Sequence, residues 1–134
     1  MIRAARPDDL PAIAGIQRSS PEAAPWDPTG YEILVAEVDN RVVGFIVTRT
    51  ITDGELEILN LAVAPPYRRR GIARSLVKLV LSGTVFLEVR ESNSAALSFY
   101  NSLGFQKLSR RHEYYTDPPE GAIVLKFHSC YGGE

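Results

Sequence analysis

The spacing of apolar residues changes several times along this chain, and each change predicts a different element. Seven short stretches either alternate apolar and polar residues or run continuously apolar, which is typical of strands. The predicted strands are residues 2–5, 33–38, 41–51, 55–63, 85–89, 106–115 and 122–127. Elsewhere apolar residues recur three and four positions apart, which predicts helices over residues 10–17, 72–81 and 94–103. The mixture predicts one α/β unit.

One stretch joins a strand to a helix through a strongly basic loop. The apolar run 58–63 is stopped by the prolines at 65 and 66, because proline has no N–H for a sheet ladder. Three arginines at 68–70 and then Gly71 lead into the next helix. The predicted apolar face of that helix consists of Ile72, Leu76, Leu79 and Val80.

The basic loop has the features of a phosphate-binding cradle. A helix start presents unpaired N–H groups and the positive end of the helix dipole, which together attract anions. Gly71 lets a ligand approach the backbone closely, and the arginines add positive charge. The pattern is neither a Walker loop nor a dinucleotide fingerprint. The alternative is an ordinary solvated basic surface.

Composition and charge narrow the functional classes. The 134 residues suit a single domain, 1–134, and 45% of them are hydrophobic. The net charge of −1 argues against nucleic acid as a partner. The lone Cys130 and the spacing of His112 and His128 predict neither a disulfide nor a metal site. With no apolar stretch of about 18 residues and no signal-peptide pattern, we expect no membrane partner and a cytoplasmic location.

Two residues in the C-terminal half have side chains suited to proton transfer. Alternation in strand 85–89 places Glu88 on the face opposite Leu87, where the carboxylate either accepts a proton or simply faces solvent. Tyr100 lies beside the apolar stripe of its helix, so its hydroxyl points into a cleft or its ring packs in the core. Asn93, just before that helix, is a typical N-cap residue.

Two blocks of the sequence resemble motifs of one enzyme superfamily. Residues 68–73, RRRGIA, match the acetyl-CoA loop [QR]-x-x-G-x-[GA] of the GNAT superfamily of N-acetyltransferases. Residues 87–96, LEVRESNSAA, with Tyr100 and the LGF of 103–105, resemble the RimI-type members, which acetylate the N-terminal alanine of a ribosomal protein. The resemblance covers roughly the C-terminal two-thirds of the chain.

The resemblance implies a GNAT fold with acetyl-CoA as co-substrate and no metal. That fold is α/β (α+β), with a mixed, mostly antiparallel central sheet, helices on both faces, and strands splayed at the acetyl-CoA site. The pantetheine arm would lie along the strand end, the pyrophosphate on the loop N–H groups, and an N–H near Val63 would stabilise the oxyanion. The implied cofactor-binding residues are Leu61, Ala62, Val63, Arg69, Arg70, Gly71, Ile72, Ala73, Arg74 and Asn93.

The resemblance also implies catalytic roles. Glu88 would accept the proton of the attacking amine, and Tyr100 would donate a proton to the CoA thiolate. Trp26, Tyr114 and Tyr115 are candidates to line the acceptor groove, with local packing as the alternative. A terminal α-amine has a pKa about 2.5 units below that of lysine, so it is the easier acceptor for a single carboxylate base. We therefore predict acetyl transfer to a protein N-terminal α-amine.

Two other functions are compatible with the sequence. The segment between Trp26 and Ile33 is shorter than in RimI-type enzymes, which favours a small-molecule amine acetyltransferase. A non-catalytic acyl-CoA-binding module would keep the basic loop but would need neither Glu88 nor Tyr100, and both are present.

Overall fold

The computed structural model describes residues 1–19, 31–116 and 119–129, without the side chains of Glu113, Tyr115 and Thr116. The strands in this part of the chain are β1 Ile2–Ala4, β2 Glu32–Val38, β3 Arg41–Thr52, β4 Glu55–Val63, β5 Thr84–Arg90, β6 Gln106–Thr116 and β7 Pro119–His128. The helices are α1 Leu10–Arg18, α2 Ile72–Val80 and α3 Ser94–Ser102. Short 3-10 turns cover Pro7–Asp9 and Pro65–Tyr67. Every predicted strand and helix is confirmed, with small shifts at the ends.

The strands are hydrogen-bonded in the order β1-β2-β3-β4-β5-β7-β6. The pairs β1–β2, β2–β3, β5–β7 and β6–β7 are antiparallel, and β4 pairs with β5 in parallel. This confirms the predicted mixed, mostly antiparallel sheet. By its contacts the chain forms two compact units, Met1–Arg49 with Ile58–Val80 and Thr50–Glu57 with Leu81–Glu134.

The first unit has a core built from α1 and the strands of the meander. Residues 43–48 of β3 are buried without alternation, which is typical of a strand covered on both faces. The buried cluster consists of Ile13, Ile16, Val35, Phe45, Val47 and Ala62. In α2 the buried residues are Leu76 and Val77, whereas Leu79 is 61% exposed, so the predicted face of this helix was wrong at Leu79. Helical spacing alone is compatible with an apolar face that includes Leu79 or with one that includes Val77, and packing decides which face is buried.

The second unit is organised on β5. Its side chains alternate between buried and half-buried positions, with Val85, Leu87 and Val89 buried. Glu88 therefore lies on the half-buried face, as the sequence predicts. Phe105 and Leu125 are buried as well and extend the core of this unit.

A buried carboxylate joins the start of α1 to the first strand. Asp9 accepts two hydrogen bonds from the Arg3 guanidinium, at 2.8 and 3.0 Å, and one from the Arg6 N–H at 2.7 Å. These bonds, led by those from Arg3, lower the pKa of Asp9 from 3.8 to about 2. Asp9 is 7% exposed, so its partners cannot be replaced easily by water.

We expect Asp9→Asn to lower the free energy of unfolding near neutral pH by about 2 kcal/mol, because hydrogen bonds to a charged group are lost. A depressed pKa stabilises the fold fully above the ordinary value and loses this contribution as pH falls towards about 2. Urea unfolding at neutral and acidic pH measures the difference, which should shrink across that window. The neighbouring exposed Asp8→Asn is the control, with little expected effect. A difference that does not depend on pH would contradict this account.

Candidate active site

The loop after β4 has an unusual backbone. Arg69 and Gly71 have φ values of 64° and 80°, in the left-handed region, on either side of Arg70. Left-handed residues on either side of a residue with negative φ turn successive N–H groups towards one side. Such a turn is a common form of anion-binding concavity. Glycine adopts this conformation without strain, whereas Arg69 pays a steric cost for it.

The three loop arginines do not share one role. Arg68 folds back onto the protein, where its Nε donates to the Val63 carbonyl at 2.9 Å and its Nη2 to the Ser19 carbonyl at 3.2 Å. The Arg70 guanidinium lies 5.1 Å from the centre of the Tyr67 ring. Arg68 thus braces the turn to the end of β4, while its guanidinium keeps the positive charge that the sequence predicts for this loop.

The start of α2 presents backbone N–H groups. Its hydrogen-bond ladder begins with the Ser75 N–H donating to the Gly71 carbonyl at 3.0 Å. The N–H groups of Ile72, Ala73 and Arg74 precede this bond and point along the helix axis at its positive end. A Cβ placed on Gly71 would meet nothing within 4 Å, so the backbone there is open to a ligand. The loop therefore offers N–H groups and open space to an anionic group.

The end of β4 is held by a buried amide that the sequence analysis missed. Asn60 is 6% exposed; its Oδ1 accepts the Leu61 N–H at 2.9 Å, and its Nδ2 donates to Gln17 of α1 at 2.6 Å. The Leu61 N–H is therefore already bonded, and a chain added along β4 would use other backbone groups.

At Gly44 a Cβ would lie 3.3 Å from the Ala62 carbonyl oxygen, so this glycine permits the close approach of β3.

In the second unit, Glu88 is part of a group of polar side chains. Its Oε2 accepts a hydrogen bond from Nη1 of Arg111 at 2.7 Å. The Glu88 side chain is 16% exposed and that of Arg111 54%. The carboxylate is thus neither a free surface group nor fully buried.

Tyr114 completes this group. The Arg111 guanidinium lies 4.2 Å from the centre of the Tyr114 ring, and the Tyr114 hydroxyl hydrogen-bonds to Glu88. Partial burial, followed by the negative charge of Glu88, raises the pKa of Tyr114. The phenol therefore stays protonated and donates to the carboxylate.

Tyr100 is buried more deeply than expected for a residue beside the core stripe. It is 7% exposed, and its ring packs edge-on against Phe99 and Phe105, with centroids 5.0 and 5.3 Å away. Burial raises the pKa of the Tyr100 hydroxyl. The hydroxyl is therefore protonated at any physiological pH, which suits a hydrogen-bond donor.

The corner between β5 and α3 is fixed by hydrogen bonds. Asn93 Oδ1 accepts the Ala96 N–H at 3.1 Å, which confirms the predicted N-cap. Glu120 of β7 accepts the Ser92 N–H at 2.6 Å. These bonds tie the start of α3 to the hairpin that carries Tyr114.

A second carboxylate fastens the same corner. Glu91 accepts two bonds from Arg110, at 2.8 and 2.7 Å, and one from the Gly121 N–H at 3.0 Å. The bonds from Arg110 and then from Gly121 lower the pKa of Glu91. The sequence analysis missed this group, since only the pairing of β5, β6 and β7 brings its members together.

Some predicted site residues lie outside what the structure describes. Trp26 falls in the undescribed range 20–30, and the side chain of Tyr115 is not described. Within the described ranges, no group of three or more metal-ligating side chains is found. Among the same residues, no helix is long and apolar enough to cross a membrane.

Comparisons with known proteins agree on one family. Residues 5–105 match the family model described as "Acetyltransferase (GNAT) family". The chain is 33% identical to the [Ribosomal protein bS18]-alanine N-acetyltransferase of Escherichia coli K12. The alignment covers 87% of this chain and 89% of the relative.

Solved structures agree as well. The crystal structure of the ribosomal-protein-S18-alanine N-acetyltransferase from Escherichia coli superposes with a TM-score of 0.83 at 31% identity, covering 100% of this chain and 96% of that one. A GNAT family acetyltransferase from Elizabethkingia anophelis, solved with acetyl-CoA bound, has a TM-score of 0.75 at 20% identity, over 96% and 97% of the two chains. The second likeness concerns the fold alone.

Proposed function

Because this chain belongs to the acetyltransferase (GNAT) family and is an acetyl-CoA-dependent N-acetyltransferase, we propose that its acceptor is the N-terminal α-amine of a protein. The observation that carries the proposal is the 33% identity, over most of both chains, to an enzyme named for the alanine of ribosomal protein bS18. An N-terminal alanine, on a ribosomal or another protein, is the acceptor this favours.

The chemistry of the acceptor supports the same choice. A terminal α-amine is about 2.5 pH units easier to deprotonate than a lysine side chain. Glu88 is the carboxylate proposed as the base, and a single carboxylate removes the proton of an α-amine at a lower energetic cost. A protein N-terminus is therefore a better match for Glu88 than lysine.

We assign the co-substrate to the end of β4 and the loop that follows. Acetyl-CoA supplies the acetyl group as a thioester. The open backbone at Gly71, the left-handed residues beside Arg70 and the start of α2 suit its pyrophosphate. The residues proposed to bind it are Leu61, Ala62, Val63, Arg69, Arg70, Gly71, Ile72, Ala73, Arg74 and Asn93.

The proposed reaction is a direct transfer with two proton movements. The amine nitrogen bonds to the thioester carbon, and the carbon–sulfur bond breaks. Glu88 takes the proton that the amine loses, and Tyr100 gives a proton to the departing sulfur. Proton exchange with solvent returns both residues to their starting states. Tyr114, together with Tyr115 and Trp26, is proposed to line the acceptor groove.

We expect Gly71→Ala to raise the KM for acetyl-CoA several-fold with a small change in kcat. Gly71 has a φ of 80° and open space around it, so an added methyl group strains the backbone by about 1 kcal/mol and occupies room needed by the phosphates. Gly54→Ala is a matched control, since Gly54 has a φ of 82° and equally open surroundings. Equal KM changes in the two variants would argue against a cradle at Gly71.

The acceptor is tested by following CoA release with three acceptors. These are a peptide that begins with alanine, the same peptide blocked at its N-terminus but containing lysine, and a panel of small amines. We expect turnover with the free α-amine and a mass gain of one acetyl group on that peptide. Turnover confined to lysine or to small amines would reject the proposed acceptor. Acetyl-CoA binding without turnover of any amine would point to a binding module.

A further inference from the structure

We propose that Arg111 is a positioning residue for Glu88, holding the carboxylate in the orientation needed to take up the proton of the acceptor amine. The inference rests on the proposed function, because it presumes that Glu88 is the base. It adds a residue on another strand, to which the sequence analysis assigns no role.

Strand register brings the two residues together. Glu88 pairs with Val124 of β7, and Arg111 of β6 pairs with Ala122 of the same strand. Residues two apart on a strand share a face, so Glu88 and Arg111 lie on the same side of this part of the sheet. Because β7 lies between β5 and β6, the Arg111 side chain crosses β7 to reach the carboxylate.

The geometry of the contact favours a positioning role. At 2.7 Å the bond from Nη1 to Oε2 is short, as expected for a charge-assisted hydrogen bond. Ion pairs with an exposed partner add little to stability, and Arg111 is 54% exposed. A stabilising role alone is therefore a weak explanation for an arginine stretched across a strand to this carboxylate.

Neighbouring ion pairs in the same unit differ from this one. Glu91 and Glu120 each accept a backbone N–H as well as a guanidinium, so those pairs fasten one chain segment to another. Among the described residues, the hydrogen-bond partners of Glu88 are the side chains of Arg111 and Tyr114. This group orients a carboxylate and joins no backbone segments.

A bulge in β6 places Tyr114 where it steadies the arginine. Residues three apart on a regular strand lie on opposite faces, which would separate Tyr114 from Arg111. The register shifts between Arg111 and Tyr115, which pair with Ala122 and Glu120, so β6 has extra residues here. The Tyr114 ring consequently lies against the guanidinium, and its hydroxyl bonds to Glu88.

Orientation of the base has a direct effect on rate. A general base must lie within about 2.6–3.2 Å of the proton donor, directly or through one water. A displacement of about 1 Å can lower the rate about 100-fold. Without Arg111, the Glu88 side chain regains rotamers that point away from the amine, and kcat falls while acetyl-CoA binding is unchanged.

The test measures kcat and the KM for acetyl-CoA in three variants, Arg111→Ala, Arg111→Lys and Lys107→Ala. Lys107→Ala is the control, because it removes an exposed charge from the same strand. We expect kcat to fall roughly 10- to 100-fold in Arg111→Ala, less in Arg111→Lys, and not in Lys107→Ala, with the KM for acetyl-CoA unchanged throughout. Guanidinium ion below denaturing concentrations should restore activity to Arg111→Ala and leave Glu88→Gln inactive.

A wild-type kcat in Arg111→Ala would overturn the proposal. A loss of kcat that guanidinium does not reverse would overturn it as well, because it would indicate a structural defect, which a free cation does not repair. If Arg111→Ala does not fold, Arg111→Lys decides, and an undiminished kcat there overturns it. All variants are compared on whichever amine the wild-type protein acetylates. Failure of the alanine peptide alone therefore rejects the proposed acceptor and not the role of Arg111.

Discussion

Replacing Glu88 by glutamine is expected to lower kcat by about 100- to 10,000-fold, the range for loss of a general base. The amide has nearly the shape of the carboxylate and can still accept from Arg111 and Tyr114, so the local structure should persist. It cannot take a proton from an ammonium or amine group at neutral pH. Acetyl-CoA binding, measured by calorimetry, should be unchanged, because the residues proposed to hold the co-substrate are untouched.

Glu55→Gln is the matched control for this experiment. Glu55 is a half-buried strand carboxylate of the same unit, hydrogen-bonded to Thr52, and its conversion to the amide should leave kcat near the wild-type value. Unfolding curves for both variants exclude a general loss of structure. A Glu88→Gln protein that keeps most of its activity would show that another group, or water alone, removes the proton.

Tyr100→Phe is expected to lower kcat by about 100-fold, near the lower end of the range for a general acid. The raised pKa makes the Tyr100 hydroxyl a persistent hydrogen-bond donor but a weaker acid than a free phenol. Tyr100 gives its proton to the sulfur as negative charge grows there, and because a weaker acid assists less, the effect should be smaller than that of Glu88→Gln.

The substitution keeps the ring, so packing against Phe99 and Phe105 should be preserved. Tyr31→Phe, which removes a hydroxyl from a half-buried tyrosine of the other unit, serves as the control. Single-turnover measurements report the chemical step directly. Equal rates for wild type and Tyr100→Phe would assign this tyrosine to core packing, which its burial already supports.

Local patterns were sufficient for the elements of the fold. The prolines after Val63 end β4, the change from strand to helical spacing at Gly71 marks α2, and Asn93 caps α3, as the structure confirms. Alternation along β5 also predicted the face on which Glu88 lies. Each of these features depends on residues close together in sequence, where propensity, capping and pleat operate. The proposed anion-binding role of the loop at Gly71 was likewise inferred from residues close together in sequence.

Other features depended on packing. Burial of Tyr100 follows from how α3 sits against Phe105, and helical spacing alone allowed either a flank or a core position. Helix α2 buries Val77 and exposes Leu79, although both fit an apolar stripe. In each case several arrangements satisfy the local pattern, and the surrounding core selects one.

The sequence by itself determined the order of the elements, the family resemblance and the identity of the charged residues near the proposed chemistry. Only the tertiary structure decided their partners. Arg68 binds the end of β4, Arg110 binds Glu91, and Arg111 binds Glu88, although all three are arginines in basic pairs or runs. Arg68 reaches the Val63 carbonyl through the turn that follows β4. For Arg110 and Arg111 the physical reason is that the partner is set by the register and bulges of strands far apart in sequence, and no local spacing encodes that alignment.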